Sequence, residues 1–201
     1  MSPAESRIIQ IDTPGALDSL TAVLRGGGLA VFPTDTVYGL GGRISSVAAL
    51  DRILALKGRP SGKPLPVLVA GLAAAERLAI FSRAARRAAL EAWPGAVTLI
   101  LPARRELPAA ICRDGRVAVR VPGYPPLLGV LETLQEGIAG TSANLSGEPA
   151  PASLAEVPPE LSDRVELVLD GGILPGRPSR IIDFTGATPM VVRDSQAGGE
   201  K

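Results

Sequence analysis

Leu29-Ala30-Val31-Phe32-Pro33-Thr34-Asp35-Thr36-Val37-Tyr38-Gly39-Leu40-Gly41-Gly42 carries a short apolar strand, Leu29 to Phe32, into a loop dense in hydroxyls and glycines. Pro33 fixes φ and ends strand pairing, so Thr34 and Thr36 are expected on irregular backbone, their hydroxyls turned to a small ligand rather than to a ladder. Gly39, Gly41 and Gly42 are then expected to let main chain approach that ligand closely. An ordinary strand-to-helix turn rich in threonine reads the same way in isolation, so the weight comes from the motifs around it.

A chain of 201 residues is long enough for one α/β domain with a substantial core and short for two. We expect a single domain over 1–201, its core from about Ile8 to Arg193, with the polar tail 194–201 fraying. Hydrophobic residues make up 46% and aromatics 3%, so Leu, Val, Ile and Ala must fill the interior, and platforms for stacking single-stranded bases are scarce. With 21 basic against 20 acidic residues, the net charge of +1 supplies no global field toward nucleic acid or membrane. Any cationic site is local. One cysteine, Cys112, excludes an internal disulfide, and the absence of histidine removes the commonest metal ligand and general base. Chemistry is left to Lys, Arg, hydroxyls, carboxylates and a borrowed metal. No run reaches the roughly 18 apolar residues of a membrane span, and Met1 to Gln10 lacks a secretory core, so a cytoplasmic protein is expected.

Outward from the central stretch, Arg7 to Ile11 reads as a strand, and Thr13-Pro14 as a helix start for the repeat Leu17, Leu20, Leu24, stopped by Gly26-Gly27-Gly28. A second helix begins at Ser45 or Ser46, presents Val47, Leu50 and Leu54 on one face, and ends at Gly58. It delivers Lys57-Gly58-Arg59-Pro60-Ser61-Gly62-Lys63, three cations within seven residues on a loop that Pro60 and Pro64 stiffen. Such a cluster suits a phosphate or carboxylate, although Lys57 on the helix dipole with Arg59 and Lys63 solvated reads equally well. Ser82 is placed to cap a helix whose Arg83, Arg86 and Arg87 form a solvated face. Arg120 stands in the apolar strand Val117 to Pro122 and requires an anionic partner, a ligand or a structural carboxylate. Cys112 reads as inert, since no histidine can activate it. A strand from Gly137 to Gly140 opens into Thr141-Ser142-Ala143-Asn144-Leu145-Ser146-Gly147, a second hydroxyl and amide loop that can satisfy phosphate oxygens or cap itself. Near the end, Arg177-Pro178-Ser179-Arg180 precedes the strand Ile181 to Phe184, and Met190 to Arg193 is the last apolar run.

Taken in order, Pro33 to Leu40, Lys57 to Pro60 with Lys63-Pro64-Leu65, Trp93-Pro94-Gly95 with Val97-Thr98, Val119 to Pro122, and Thr141 to Gly147 resemble the YrdC-type L-threonylcarbamoyladenylate synthases, short single-domain form. The resemblance implies a twisted mixed sheet flanked by helices around a deep basic cavity. It also implies condensation of L-threonine, bicarbonate and ATP to threonylcarbamoyl-AMP and pyrophosphate, with Mg2+ on the phosphates, for the modification of adenosine 37 in tRNA. Carried over by position, threonine lies against Thr36, Arg120, Gly140 and Ser179, and ATP against Arg59, Lys63, Ser142, Asn144 and Arg193. Lys57, Arg59 and Lys63 form the catalytic cation set. A downstream threonylcarbamoyl-transfer machinery is implied as partner, with tRNA contact left open. Leu68 stands where longer members have a histidine, and Arg180 where a small hydroxyl residue often follows the matched serine. An RNA- or ribosome-binding relative on the same fold, without synthase activity, is the alternative.

Overall fold

The computed structural model describes residues 7–58 and 63–195. Arg59 and the tail beyond residue 195, both singled out in the sequence, lie outside the described residues. The first half of the chain forms β1 (Arg7–Gln10), α1 (Ala16–Arg25), β2 (Ala30–Phe32), β3 (Gly39–Arg43), α2 (Val47–Lys57), β4 (Val67–Leu68), α3 (Leu72–Glu76) and α4 (Arg83–Ala92). The second half forms β5 (Val97–Pro102), β6 (Cys112–Arg113), β7 (Arg116–Arg120), α5 (Pro125–Leu134), β8 (Ile138–Ser142), α6 (Pro159–Ser162), β9 (Leu167–Asp170), β10 (Arg180–Asp183) and β11 (Met190–Arg193). The strands join in one mixed sheet, in the order β1-β9-β2-β3-β8-β4-β7-β5-β10-β11 with β6 beside β7. This is the mixed sheet flanked by helices that the sequence led us to expect.

Local chemistry explains several element ends. Ser46 accepts a hydrogen bond from the Ala49 N–H at 3.3 Å, and Ser82 from the Ala85 N–H at 3.1 Å, so both serines cap their helices as read. Gly58 closes α2 at φ 54°, a left-handed cap that suits glycine. Thr13 does not cap α1. Its carbonyl instead accepts the Ala16 N–H in a turn, and Gly15, at φ 81°, is the N-cap, two residues later. The buried stripe of α2 is Ala49, Leu50, Ile53 and Lys57, while Val47 is exposed and Leu54 only half-buried. Spacing alone placed the stripe about a quarter of a turn away, sharing only Leu50 with the buried one.

The central glycines are also corrected. Gly39 to Arg43 is not loop but a strand, antiparallel to β2, with Val31 opposite Leu40 and Phe32 opposite Gly39. A Cβ on Gly41 would stand 2.9 Å from the Ala139 carbonyl and from Ile138, and one on Gly42 2.9 Å from Leu29. These glycines therefore admit neighbouring strands and helix, rather than a ligand.

Two apolar layers follow from the strand alternation. Leu29, Val31, Leu40, Val67, Leu99, Val119 and Ala139 face α2, α3 and α4. Ala30, Phe32, Leu68, Ile138, Leu167 and Leu169 face α1 and α5. Each fully buried leucine or phenylalanine contributes about 1.5–3 kcal/mol relative to exposure. Among the described residues, no helix is long and apolar enough to cross a membrane.

Candidate functional site

Register places the singled-out side chains on one face. Leu68 stands opposite both Arg120 and Ile138, so Arg120 shares the face that α1 and α5 cover further along. Gly140 and Ser142 follow Ile138 at the period of two, and Gly140 pairs with Gly41. On the far side, Ile181 stands opposite both Thr98 and Arg193, and Ser179 lies two residues before Ile181. Thr36, Arg120, Ser179 and Arg193 are then joined by contacts. Arg120, only 7% exposed in its side chain, donates from Nη1 to Thr36 Oγ1 at 3.1 Å, from Nη2 to Asp35 Oδ1 at 2.6 Å and from Nε to the Gly95 carbonyl at 2.9 Å. The Gly176 N–H donates to the Thr36 carbonyl, which draws the segment before Ser179 against the central loop. Ser179 Oγ and Thr98 Oγ1 are 2.9 Å apart, and Arg193 donates from Nε and Nη2 to the Ser179 carbonyl at 3.0 and 2.8 Å.

The anion required by Arg120 is thus supplied within the chain, by Asp35. The sequence reading had named Asp35 only as part of the motif. Its acidity next to two threonines was the available signal. Pro33 does what its chemistry dictates: the chain leaves β2 there, and Thr34 Oγ1 gathers the Thr36 and Val37 N–H groups while donating to the Val37 carbonyl at 2.7 Å. That self-capped turn holds Thr36 and Asp35 over Arg120.

On the nucleotide side expected from the resemblance, Lys57 arrives from the opposite layer, as the buried last residue of α2. Its Nζ donates to the Ser142 carbonyl at 2.7 Å, to Asn144 Oδ1 at 2.8 Å and to the Asn144 carbonyl. Three donors meet three loop oxygens, so Lys57 braces the turn that presents Ser142 and Asn144. Ser142 Oγ also donates to Asn144 Oδ1, and Asn144 Nδ2 donates to the Glu148 carbonyl at 2.6 Å. Lys63, by contrast, is exposed and makes no hydrogen bond or ion pair with a described residue. The expected deep basic cavity is not delineated. A cavity of about 380 Å³ opens elsewhere, between Arg52, Leu56 and Arg164, and holds none of the singled-out residues. There Arg52 pairs with Glu166 at 2.9 Å, and Glu166 accepts the Leu29 N–H, a tie between α2 and the sheet.

A second knot fastens the loop. The Tyr38 hydroxyl donates to the Gly172 carbonyl at 2.8 Å, lies 3.1 Å from Asp170 Oδ1, and accepts the Gly171 N–H at 2.9 Å. Burial pushes this phenol up to about 12, with Asp170 adding to the rise and the Gly171 N–H opposing it. Asp170 itself is held below the usual carboxylate range, chiefly by the Gly172 N–H. Burial raises the Cys112 thiol, which keeps it protonated and agrees with an inert side chain. Arg86 and Arg87 pair with Glu76 and Glu91 on an exposed face, as read.

Known proteins are similar to this chain in sequence and fold. The family model described as Telomere recombination (Sua5, YciO, YrdC) matches residues 22–195. Threonylcarbamoyl-AMP synthase of Stenotrophomonas maltophilia is 39% identical over 186 residues, covering 90% of this chain and 95% of that protein. The synthase of Pyrococcus abyssi is 38% identical over 173 residues, covering 85% of this chain and 51% of its own length. The chain therefore spans about half of that longer relative, and 44% of the Bacillus subtilis one. Among solved structures, P. abyssi Sua5 complexed with L-threonine superposes with TM-score 0.83 at 36% identity, over 88% of this chain and 53% of that one. Escherichia coli YciO superposes with TM-score 0.86 at 30% identity, over 94% and 95%. Matched by the family model through every strand from β2 to β11, this chain belongs to the Sua5/YciO/YrdC family.

Proposed function

We propose that the protein condenses L-threonine, bicarbonate and ATP into threonylcarbamoyl-AMP and pyrophosphate, as a cytoplasmic enzyme of tRNA adenosine-37 modification. The observation that carries the reading is the single sheet face on which a buried guanidinium, hydroxyls and a braced amide loop converge, in a chain 39% identical to a named synthase along 95% of that relative. Threonine would bind at Arg120, Thr36, Gly140 and Ser179, a placement supported by the likeness to a relative solved with L-threonine. ATP would lie along Ser142, Asn144, Lys63, Arg193 and Arg59.

The chemistry asks little of a covalent catalyst. Bicarbonate loses water to give CO2, taking the proton that the threonine ammonium sheds. The free amine adds to this CO2 as a carbamate and releases one proton to solvent, and a carbamate oxygen attacks the α-phosphate while pyrophosphate leaves. Both steps crowd anions together, so positioned cations and hydroxyls suffice, which suits a chain without histidine. Cations and hydroxyls suit phosphate oxygens, and Mg2+ would be held on the phosphates of the nucleotide substrate, where it would neutralise their charge. Within this scheme Lys57 positions the Ser142 to Asn144 turn, Arg193 steadies Ser179, and Lys63 is the described cation available to the phosphates. Release of the mixed anhydride to a threonylcarbamoyl-transfer partner follows from its reactivity.

The test is pyrophosphate release by purified full-length protein. Release that needs ATP, L-threonine and bicarbonate together is expected, and Lys63→Ala should lower it about 100-fold. Turnover indifferent to threonine overturns the reading, and complete inactivity with tight RNA binding would favour a binding protein on this fold.

A further inference from the structure

The ion pair at Arg120 poses a question that threonine binding alone does not answer. A carboxylate ligand would enter a place where Asp35 already neutralises the guanidinium, at 2.6 Å and with side chains only 7% and 14% exposed. A lone anion would leave that buried group with one uncompensated negative charge, which is unfavourable. The donor and acceptor count resolves the difficulty. Arg120 has five N–H groups, of which three are engaged by Gly95, Thr36 and Asp35. Two remain, one on each terminal nitrogen, enough for one carboxylate.

Acceptors stand beside them. Thr34 donates its one hydroxyl proton to the Val37 carbonyl, so across the 2.9 Å contact between the two hydroxyls Thr36 Oγ1 does not accept from it. Thr36 Oγ1, which accepts from Arg120, keeps one lone pair. Asp35 uses Oδ1 for Arg120, while Oδ2 makes no hydrogen bond with a described residue. Oδ2 rests beside Gly123, where a Cβ would stand 3.0 Å from it and 3.2 Å from the Gly95 Cα. Glycine at 123 leaves the carboxylate room. The cluster therefore presents two N–H donors next to one uncommitted carboxylate oxygen and one hydroxyl lone pair.

We infer that Asp35 is a specificity-determining anchor of the amino-acid subsite: its Oδ2 receives the substrate ammonium while Arg120 receives the carboxylate, so that the subsite takes zwitterionic α-amino acids and rejects the corresponding hydroxy acids. The inference rests on the placement of threonine at Arg120 proposed above. A zwitterion adds no net charge to the Arg120–Asp35 pair, and each of its two charged groups meets an opposite partner. A carboxylate without the amine fills the donors and leaves Asp35 facing it.

Calorimetric titration of the full chain with L-threonine and with 2,3-dihydroxybutanoate, which replaces the amine by hydroxyl, tests this. The wild type should bind threonine at least about 30-fold more tightly than the hydroxy acid. In Asp35→Asn, threonine should weaken about 10- to 100-fold while the hydroxy acid binds more tightly than to the wild type, because Arg120 is no longer neutralised. Asp35→Glu, which keeps the charge, should restore part of the preference. A residue that merely steadies Arg120 would weaken both ligands by the same factor on substitution, and that result overturns the proposal. So does a wild type that binds both ligands equally, a comparison that stands even where a variant does not fold. A wild type that binds neither ligand and releases no pyrophosphate removes the threonine reading itself and this proposal with it.

Discussion

Arg120 and Lys57 are both buried cations, 6% and 4% exposed, yet the chain treats them oppositely. Arg120 faces a carboxylate and keeps two N–H groups that no described residue engages. Lys57 comes from the covered layer and gives its donors to three oxygens of one turn. The contrast teaches that burial of a charge does not by itself mark a ligand site. What marks it is residual hydrogen-bonding capacity. A planar guanidinium retains such capacity when three of its donors are engaged, whereas an ammonium with three does not.

The largest effect is expected from Arg120→Ala. It should reduce threonine-dependent pyrophosphate release by about 100-fold or more. It also strands Asp35, at a cost of about 3–5 kcal/mol in denaturant unfolding. Threonine affinity should fall far more than ATP affinity in calorimetry, and equal losses would break the assignment of this cation to the amino acid. Next comes Lys57→Met, which leaves the turn oxygens without donors and should destabilise the protein by about 2–3 kcal/mol. Its loss of ATP binding should track that lower melting temperature. A variant that melts with the wild type yet no longer binds ATP would place Lys57 on the phosphates and erase the contrast.

The smallest effect belongs to the knot under the loop. Tyr38→Phe removes the bond to Gly172 and leaves the Gly171 N–H without its acceptor, at about 1–2 kcal/mol. The pH dependence sharpens it. The folded phenol titrates at about 12 against an ordinary 10.0, so Tyr38 contributes stability that is complete below pH 10 and lost as pH rises through 12. Asp170, lowered, acts on the other limb: its contribution is present above the usual carboxylate range and lost as pH falls through the depressed value. Urea unfolding across pH should show a flatter alkaline limb in Tyr38→Phe, while Asp170→Asn flattens the acid one.

Much of the local structure was legible. Ser46 and Ser82 as caps, Gly58 as a stop, and the separate apolar run Met190 to Arg193 each depend on a few neighbouring residues. The motif resemblance also named residues that the register later brought to one face. One reading missed, and two left open were decided only in space, for a common reason. Gly41 and Gly42 are small because Ile138, Ala139 and Leu29 press on them, and Ala139 lies almost 100 positions away. Asp35 meets Arg120 across 85 positions, and Lys57 meets Asn144 across 87. Nothing in either local stretch distinguishes a paired charge from one awaiting a ligand.

By itself, then, the order of residues determined the helix caps, the strand periods, the absence of histidine chemistry and the family. These are properties of short windows or of composition, and they survive without knowledge of neighbours in space. Only the tertiary structure decided which cation is neutralised by a carboxylate, which is absorbed by a turn, and which glycines serve packing. Those outcomes depend on electrostatic and steric terms that act over a few ångströms between segments the chain separates by dozens of residues.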